Sequence, residues 1–296
     1  FIGIGILYHQ GYFQQTLDAD GNQHATYTSS DFDDLPISPL QDAKGQEVII
    51  DVELPGRTVH AKLWEVRVGH VRLILLDTWL PQNSTHDREI THRLYGGDRT
   101  TRIEQEILLG VGGVRALAHL GLKPTVWHVN EGHAAFLILE RIRSLVTGGL
   151  PYAAAIEAVA SNVVFTTHTP VPAGHDHFPE DMIRHYFSNW CNGVGVPCEH
   201  LLGLGAEPGK SEFNMTALAL RRKLRPDDGD TVYLLFHAAG CEAKLGRHAE
   251  AEQARDRLAA EVAELRKQLE ERSAGRGRAA TAGRAPRKAP GAPKRS

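Results

Sequence analysis

Cysteine is scarce in this chain: three residues in 296, Cys191, Cys198 and Cys241. They are odd in number and lack metal-type spacing. They therefore imply neither a zinc module nor a disulfide framework, and a reducing, cytoplasmic setting is expected. No apolar run approaches the ~20 residues that cross a bilayer, so no membrane partner is expected. No signal peptide precedes Phe1, and the apolar run that begins there reads as a truncated start. Gly3 and Gly5 lack the third glycine of a dinucleotide fingerprint. Sixteen histidines and the His175-Asp176-His177 cluster suggest a metal hydrolase, but no helix-borne His-Glu-x-x-His accompanies them and no metal site is assigned. Acids are missing from residues 273–296, which carry seven Lys and Arg among many Ala, Gly and Pro.

What is present is ordinary globular material, 42% hydrophobic and 23% charged, enough for one or two domains. The charge is uneven. Residues 221–296 hold 18 Lys and Arg against 11 Asp and Glu, whereas residues 1–220 hold 15 against 25. An acidic body and a basic tail read as separate units. The expected division is residues 1–221, a helical segment over 222–272 with Leu258, Val262, Leu265 and Leu269 as a stripe, and a disordered basic tail over 273–296.

Within the body, Phe1–Tyr8 reads as a buried strand and residues 12–40 as irregular, with a turn at Asp20-Gly21. Alternation over 48–54 and 58–77 predicts strands, with a hairpin turn at Gly69-His70. Ile103, Ile107, Leu108, Val111, Val114, Leu117 and Leu120 recur at helical spacing, and Gly121 stops that run. A strand over 125–129, a helix over 131–145, a helix opened by Pro151 and a strand over 162–167 follow. This alternation predicts an α/β fold with a mostly parallel sheet. Ligands then sit beyond the carboxyl ends of the strands, near Tyr8, Asp77, Asn130–His133 and His168.

Three segments carry candidate chemistry. In Trp127–Phe136, Asn130, Glu131 and His133 fall where a strand gives way to a helix, a place suited to hydroxyl-rich or anionic ligands. The bland alternative makes Asn130 a helix cap and His133 a core histidine. In Val164–Asp176 a strand runs into a loop stiffened by Pro170 and Pro172, fit for a rigid sugar pocket or for mere decoration. In Arg93–Glu106 the Gly96-Gly97 pair precedes a charged helix start. It could form a gate, with Asp98 touching ligand, or Asp98 could simply cap the helix.

Together these stretches resemble the bacterial type of α-glucan (glycogen/maltodextrin) phosphorylase. The resemblance is carried by Tyr95-Gly96-Gly97-Asp98, the run Arg102–Glu106 and Gly110–Leu117. It continues through Asn130–His133, Phe165–Asp176 and Phe213–Thr216, with Gly3–Tyr8 and Gln10–Gln14 similar to the strand and loop after that family's glycine-rich loop. It extends from Phe1 to about Arg221, in order.

The resemblance implies one Rossmann-like half of a two-domain GT-B glycosyltransferase fold. It implies removal of terminal α-1,4-linked glucose by phosphate, giving glucose 1-phosphate with retained configuration. The cofactor implied is pyridoxal phosphate, whose phosphate exchanges a proton with substrate phosphate. Its lysine-bearing domain is expected to be absent from this chain, so no catalytic or cofactor-binding residue is assigned and no independent turnover is expected. By motif, His168 matches the histidine whose backbone lies against the glucose 6-hydroxyl. Glu131 and His133 match an acid and a histidine at the sugar subsite, Asn130 adjoins them, and Gly96–Asp98 stands where the family has a gate. The implied partners are α-1,4-glucan and phosphate, with a homo-oligomer left open and no nucleic acid expected. The competing class is a non-catalytic glucan-binding or assembly module with a helical and basic interaction tail.

Overall fold

The computed structural model describes residues 1–94, 96–169, 175–207 and 210–220. The expected helical segment, the basic tail, Cys241, Tyr95 and the prolines at 170 and 172 lie outside the described residues.

The largest sheet is built from β1 (Ile2–Ile6), β4 (Ile37–Pro39), β5 (Ile49–Leu54), β6 (Arg57–Val68) and β7 (Val71–Asp77). The alternation in the sequence is realised directly: Val52 and Leu54 point inward while Asp51 and Glu53 face out. β6 and β7 form the expected hairpin, with Val68 paired to Val71 and Gly69 at φ 60° in the turn. Only β1 runs parallel to its neighbour β7; β4, β5 and β7 all pair antiparallel with β6. The expected mostly parallel sheet is therefore corrected to a mixed one. Tight hairpins rather than helical crossovers link β5 to β6 and β6 to β7, and a two-residue turn can join only antiparallel strands.

Residues 12–40 are not wholly irregular. β2 (Gln14–Leu17) and β3 (Gln23–Thr26) form an exposed antiparallel ribbon around Asp18–Asn22. Its turn is tied by the Asp18 carboxylate, which accepts from the Asp20 and Asn22 backbone N–H groups. A short helix, α1 (Thr85–Glu89), is capped by Ser84.

The periodic run after residue 98 becomes α2 (Arg99–Ile107) and α3 (Gly113–His119), joined by a π-helical turn over Leu108–Gly112. A π turn widens the helix, and here glycines admit close neighbours. A Cβ on Gly110 would lie 2.7 Å from the Leu137 backbone nitrogen, and one on Gly113 would lie 2.9 Å from an Ile4 methyl. The turn thus seats the helix between β1 and α4 (Leu137–Thr147).

β8 (Trp127–Asn130) and β9 (Val163–Thr166) pair in parallel, with α4 and α5 (Tyr152–Ala160) between them in sequence. This is the expected strand–helix–strand unit in miniature. α6 (Glu180–Val194), α7 (Cys198–Leu204) and α8 (Met215–Leu220) follow, and a two-stranded ribbon of β10 (His177–Pro179) and β11 (Glu212–Asn214) braces them. One apolar core runs through these elements, from Leu63, Ile74 and Leu76 of the sheet to Ile103, Leu139, Ile142 and Ile183 of the helices. Each such fully buried side chain contributes about 1.5–3 kcal/mol of transfer free energy.

The expectation of no disulfide is also corrected. Cys191 near the end of α6 and Cys198 at the start of α7 are bonded, with Cα atoms 5.5 Å apart. No described helix is long and apolar enough to cross a membrane.

Candidate functional site

The carboxyl ends of β8 and β9 lie side by side because the strands are parallel and in register, Asn130 opposite Thr166. Residues leaving both strands therefore meet. Glu131 is the pivot. It is 3% exposed and is the one described non-glycine residue with positive φ, 57°. A left-handed glutamate is strained by of order 1 kcal/mol or more and persists only where its surroundings dictate it. Here they do. The Glu131 N–H donates to the Thr166 carbonyl at 2.8 Å. Its carboxylate accepts from the His168 N–H at 2.7 Å, the Thr169 N–H at 3.0 Å and the Thr167 hydroxyl at 3.0 Å. Burial raises its pKa, but these donors, led by the His168 N–H, outweigh burial and hold it below the ordinary glutamate value.

The twist at Glu131 also breaks the expected helix over 131–145. Gly132–Ala134 forms a single 3-10 turn, and α4 starts at Leu137. Asn130 does not cap that helix. Its Oδ1 lies 3.2 Å from His168 Nε2, and both side chains are exposed above the buried Glu131. The result is a floor of fixed charge under an open lip of imidazole and amide.

His133 is carried inward to a different set of partners. Its Nδ1 stands 2.8 Å from Asp176 Oδ2 and 3.5 Å from Glu106 Oε1. Arg102 completes the group, its Nη2 2.9 Å from Asp176 Oδ2 and 2.5 Å from His133 Nδ1, and its Nε 3.2 Å from Glu106 Oε1. The Asp176 and Glu106 carboxyls raise the His133 pKa to about 9. Burial lifts Glu106 to about 8. Asp176 is held well below the usual carboxylate range because His133, Glu106 and Arg102 outweigh its own burial.

Glu106, His133 and Asp176 place ligand atoms within 4.8 Å of one another, close enough in principle for a metal ion. The Arg102 guanidinium already supplies the cation there, pressed against both Asp176 and His133, so a second cation would meet like charge. The cluster His175-Asp176-His177 does not converge either. His175 Nδ1 bonds the Thr216 hydroxyl, whereas His177 Nδ1 donates to the His175 carbonyl and its Nε2 faces Asn214 and Glu207.

Asp98 stands apart from these groups. It is exposed and caps α2, accepting from the Thr101 N–H at 2.9 Å. Gly97 beside it has φ 85°, and a Cβ there would meet the Thr101 side chain at 2.5 Å. Asp77, at the carboxyl end of β7, is buried among His9, Trp64 and Thr91 side chains and the Trp79 N–H. Phe213–Thr216 supports the site from behind. The Asn214 side-chain Oδ1 caps α8 by accepting from the Thr216 and Ala217 N–H groups, and the Met215 N–H donates to the Asp176 carbonyl.

The sequence did not single out Glu106 or Arg102, and it raised Asp176 only within the His175-Asp176-His177 cluster, although all three lie in the segments that carry the resemblance. The signal available was an Arg and a Glu four apart on one helix face, Arg102 and Glu106, with Glu106 on the buried side. A cavity of about 760 Å³ lies elsewhere, lined among others by Glu53, Arg115, Glu140, Tyr186 and Trp190.

Comparison with known proteins relates this sequence to a family. The glycogen phosphorylase of Mycobacterium tuberculosis (strain CDC 1551 / Oshkosh) is 47% identical over 233 residues, covering 74% of this chain and 27% of that protein. The maltodextrin phosphorylase of Thermococcus litoralis is 44% identical over 220 residues, covering 74% and 26%. The glycogen phosphorylase of Aquifex aeolicus is 36% identical over 222 residues, covering 74% and 32%. The chain thus spans about a quarter to a third of the length of these relatives. No protein-family model matches it. The catalytic domain of starch synthase IV from Arabidopsis thaliana aligns at a TM-score of 0.38 and 12% identity, covering 62% of this chain and 32% of that one. That likeness is too slight to assign a fold. The sequence relationship is not slight: over about three quarters of its length, this chain is a partial sequence of the glycogen/maltodextrin phosphorylase family.

Proposed function

We propose that residues 1–220 form part of the glucan-binding wall of an α-glucan phosphorylase, a GT-B enzyme that splits terminal α-1,4-linked glucose with phosphate. The observation that carries this reading is the Glu131 knot. A strained, buried carboxylate fixes the backbone of His168 and Thr169 and raises Asn130 and His168 to the lip. Sugar hydroxyls are discriminated by donors and acceptors that do not move. His133 and Asn130 would flank the same subsite, and Gly96–Asp98 would move at its edge as a gate. A cytoplasmic enzyme acting on glucan and phosphate, with or without self-association, fits this proposal.

Pyridoxal phosphate does not fit the described residues. Lys44, Lys123 and Lys210 are exposed, and Lys62 is paired with Glu47 and lies over Trp64. None hydrogen-bonds to the Glu131 or His133 groups, so no step is assigned to the cofactor on this chain. The chain alone is accordingly expected to bind glucan weakly and not to turn it over. Titration of the purified chain with maltoheptaose should give millimolar-range binding, about 4 kcal/mol. Incubation with maltoheptaose and phosphate should release no glucose 1-phosphate. Turnover by the chain would overturn the second expectation, and absence of any saturable binding would overturn the first. The runner-up, a glucan-binding or assembly module without catalysis, is favoured by the excess of basic residues in 221–296. It predicts the same binding but no gain of phosphorolysis when the remaining three quarters of a phosphorylase is supplied.

A further inference from the structure

We infer that Glu106 is carried as a neutral carboxylic acid hydrogen-bonded to Asp176, and is a positioning residue for His133. Glu106 sits in the last turn of α2 and is 1% exposed. Its Oε1 faces Arg102 Nε at 3.2 Å and His133 Nδ1 at 3.5 Å. Its Oε2 is buried with no hydrogen-bond partner. An ionised carboxylate with one oxygen sealed from water and unpaired is costly, whereas a carbonyl-type oxygen in the same place costs far less. A second carboxylate, Asp176, lies within 4.8 Å. Two carboxyls this close raise the cost of ionising both and favour a shared proton.

The placement of charge, rather than its sum, points the same way. The groups that face Glu106 are Arg102 from its own helix, His133 from the 3-10 turn and Asp176 from the segment before β10, with Tyr8 after β1 near Arg102. With Glu106 neutral, the excess positive charge falls on His133, whose side chain is 31% exposed and can be hydrated. With Glu106 ionised the four groups sum to zero, but one negative charge then sits on an oxygen that water does not reach. Burial and Asp176 both lift the Glu106 pKa, in agreement.

A proton held between Glu106 and Asp176 leaves the other Asp176 lone pairs for His133 and Arg102, which fixes the imidazole beside the proposed sugar subsite. This last consequence rests on the glucan-binding reading; the protonation does not.

The experiment has two arms. Infrared difference spectra of the full chain should show a buried carboxylic-acid C=O band at neutral pH that shifts in D2O and disappears in Glu106→Gln. Its absence from the wild type, or its persistence in Glu106→Gln, overturns the inference. In the second arm, Glu106→Gln, which keeps a neutral donor toward Asp176, should bind maltoheptaose within about twofold of wild type. Glu106→Leu, of similar volume but without a donor, should bind roughly tenfold more weakly, with the His133 titration followed by NMR moving in parallel. Equal loss in Glu106→Gln and Glu106→Leu would mean that the ionised form is needed, and would overturn the positioning role. If no variant and no wild type binds maltoheptaose, the functional reading fails and the positioning role with it, while the infrared band still decides the protonation.

Discussion

At the residue scale, most depends on two buried glutamates that behave oppositely. Glu131 has a folded-state pKa below the ordinary value. Its ionised form therefore adds stability that is present above the unfolded pKa near 4.5 and is lost as pH falls below it. Glu131→Ala leaves the His168 and Thr169 N–H groups without their acceptor, at about 3 kcal/mol. Chemical denaturation at neutral pH should show that loss, and the difference from wild type should shrink below about pH 4. Binding should separate backbone from side chain. His168→Ala spares the fixed backbone and should weaken maltoheptaose binding by about threefold, while Glu131→Ala should weaken it by at least tenfold. The reverse order would place the imidazole, not the backbone, against the sugar.

Glu106 has its pKa raised to about 8. A raised carboxyl pKa means the folded state holds a proton the unfolded state has released. Stability from this group is full below pH 4.5 and falls as pH rises toward 8. Relative to Glu106→Gln, the wild type should lose on the order of 5 kcal/mol between these limits, read from melts at a series of pH values. His133 also has a raised pKa, partly through Glu106, so its titration is followed by NMR in both proteins and its share subtracted.

Neither glutamate's role was legible in the sequence. Glutamate has no preference for the left-handed region, so Asn130-Glu131-Gly132-His133 reads as a helix start. Glu106 sits on a helix whose face is set by Ile103 and Ile107, and nothing local says that the same face will meet Asp176 from seventy residues away. That Asn130, Glu131 and His168 come together was legible, because two β-branched stretches, each followed by a helix or loop, put their carboxyl ends side by side.

At the scale of elements, the sequence spoke clearly where one face is buried and stayed silent where none is. Residues 49–54 and 57–77 alternate because half of each strand packs on the core. The ribbon of β2 and β3 has every residue exposed, so Gln14 to Leu17 show no alternation to read. The glycines at 110, 112 and 113 are packing contacts. Gly110→Ala would drive a methyl into the Leu137 backbone at 2.7 Å, which side-chain adjustment cannot relieve. It should destabilise the protein by about 1–3 kcal/mol, visible as a lower melting temperature with secondary structure unchanged. The disulfide was missed because three cysteines in a sequence give no pairing; only the turn from α6 to α7 brings Cys191 to Cys198. The loop it closes is short, so reduction should cost about 2.5 kcal/mol in the chain-entropy picture. Cys191→Ser with Cys198→Ser should melt like the reduced wild type, and reductant should leave the double variant unmoved.

At the scale of the whole molecule, the charge distribution separates the two functional classes. Residues 1–220 carry 15 Lys and Arg against 25 Asp and Glu, and residues 221–296 carry 18 against 11. A glucan is neutral, and its recognition by hydroxyl contacts at Asn130, Glu131 and His168 involves no long-range attraction. Salt shrinks the reach of exposed charges to about 8 Å at physiological strength and about 3 Å at 1 M. Maltoheptaose affinity should therefore change by less than about twofold over that range. Binding of an anionic polymer through the basic segment would behave oppositely, because each neutralised charge releases a counterion and affinity falls steeply with salt. Heparin chromatography of the full chain and of a chain ending at residue 220 distinguishes the two. If the basic segment is an interaction module, the full chain elutes at distinctly higher salt than the shortened one. If it is not, the two elute together and the glucan site alone carries the function. Because the acidic body repels heparin, any retention of the full chain that survives removal of residues 221–296 would contradict both descriptions and require a cationic face within the body itself.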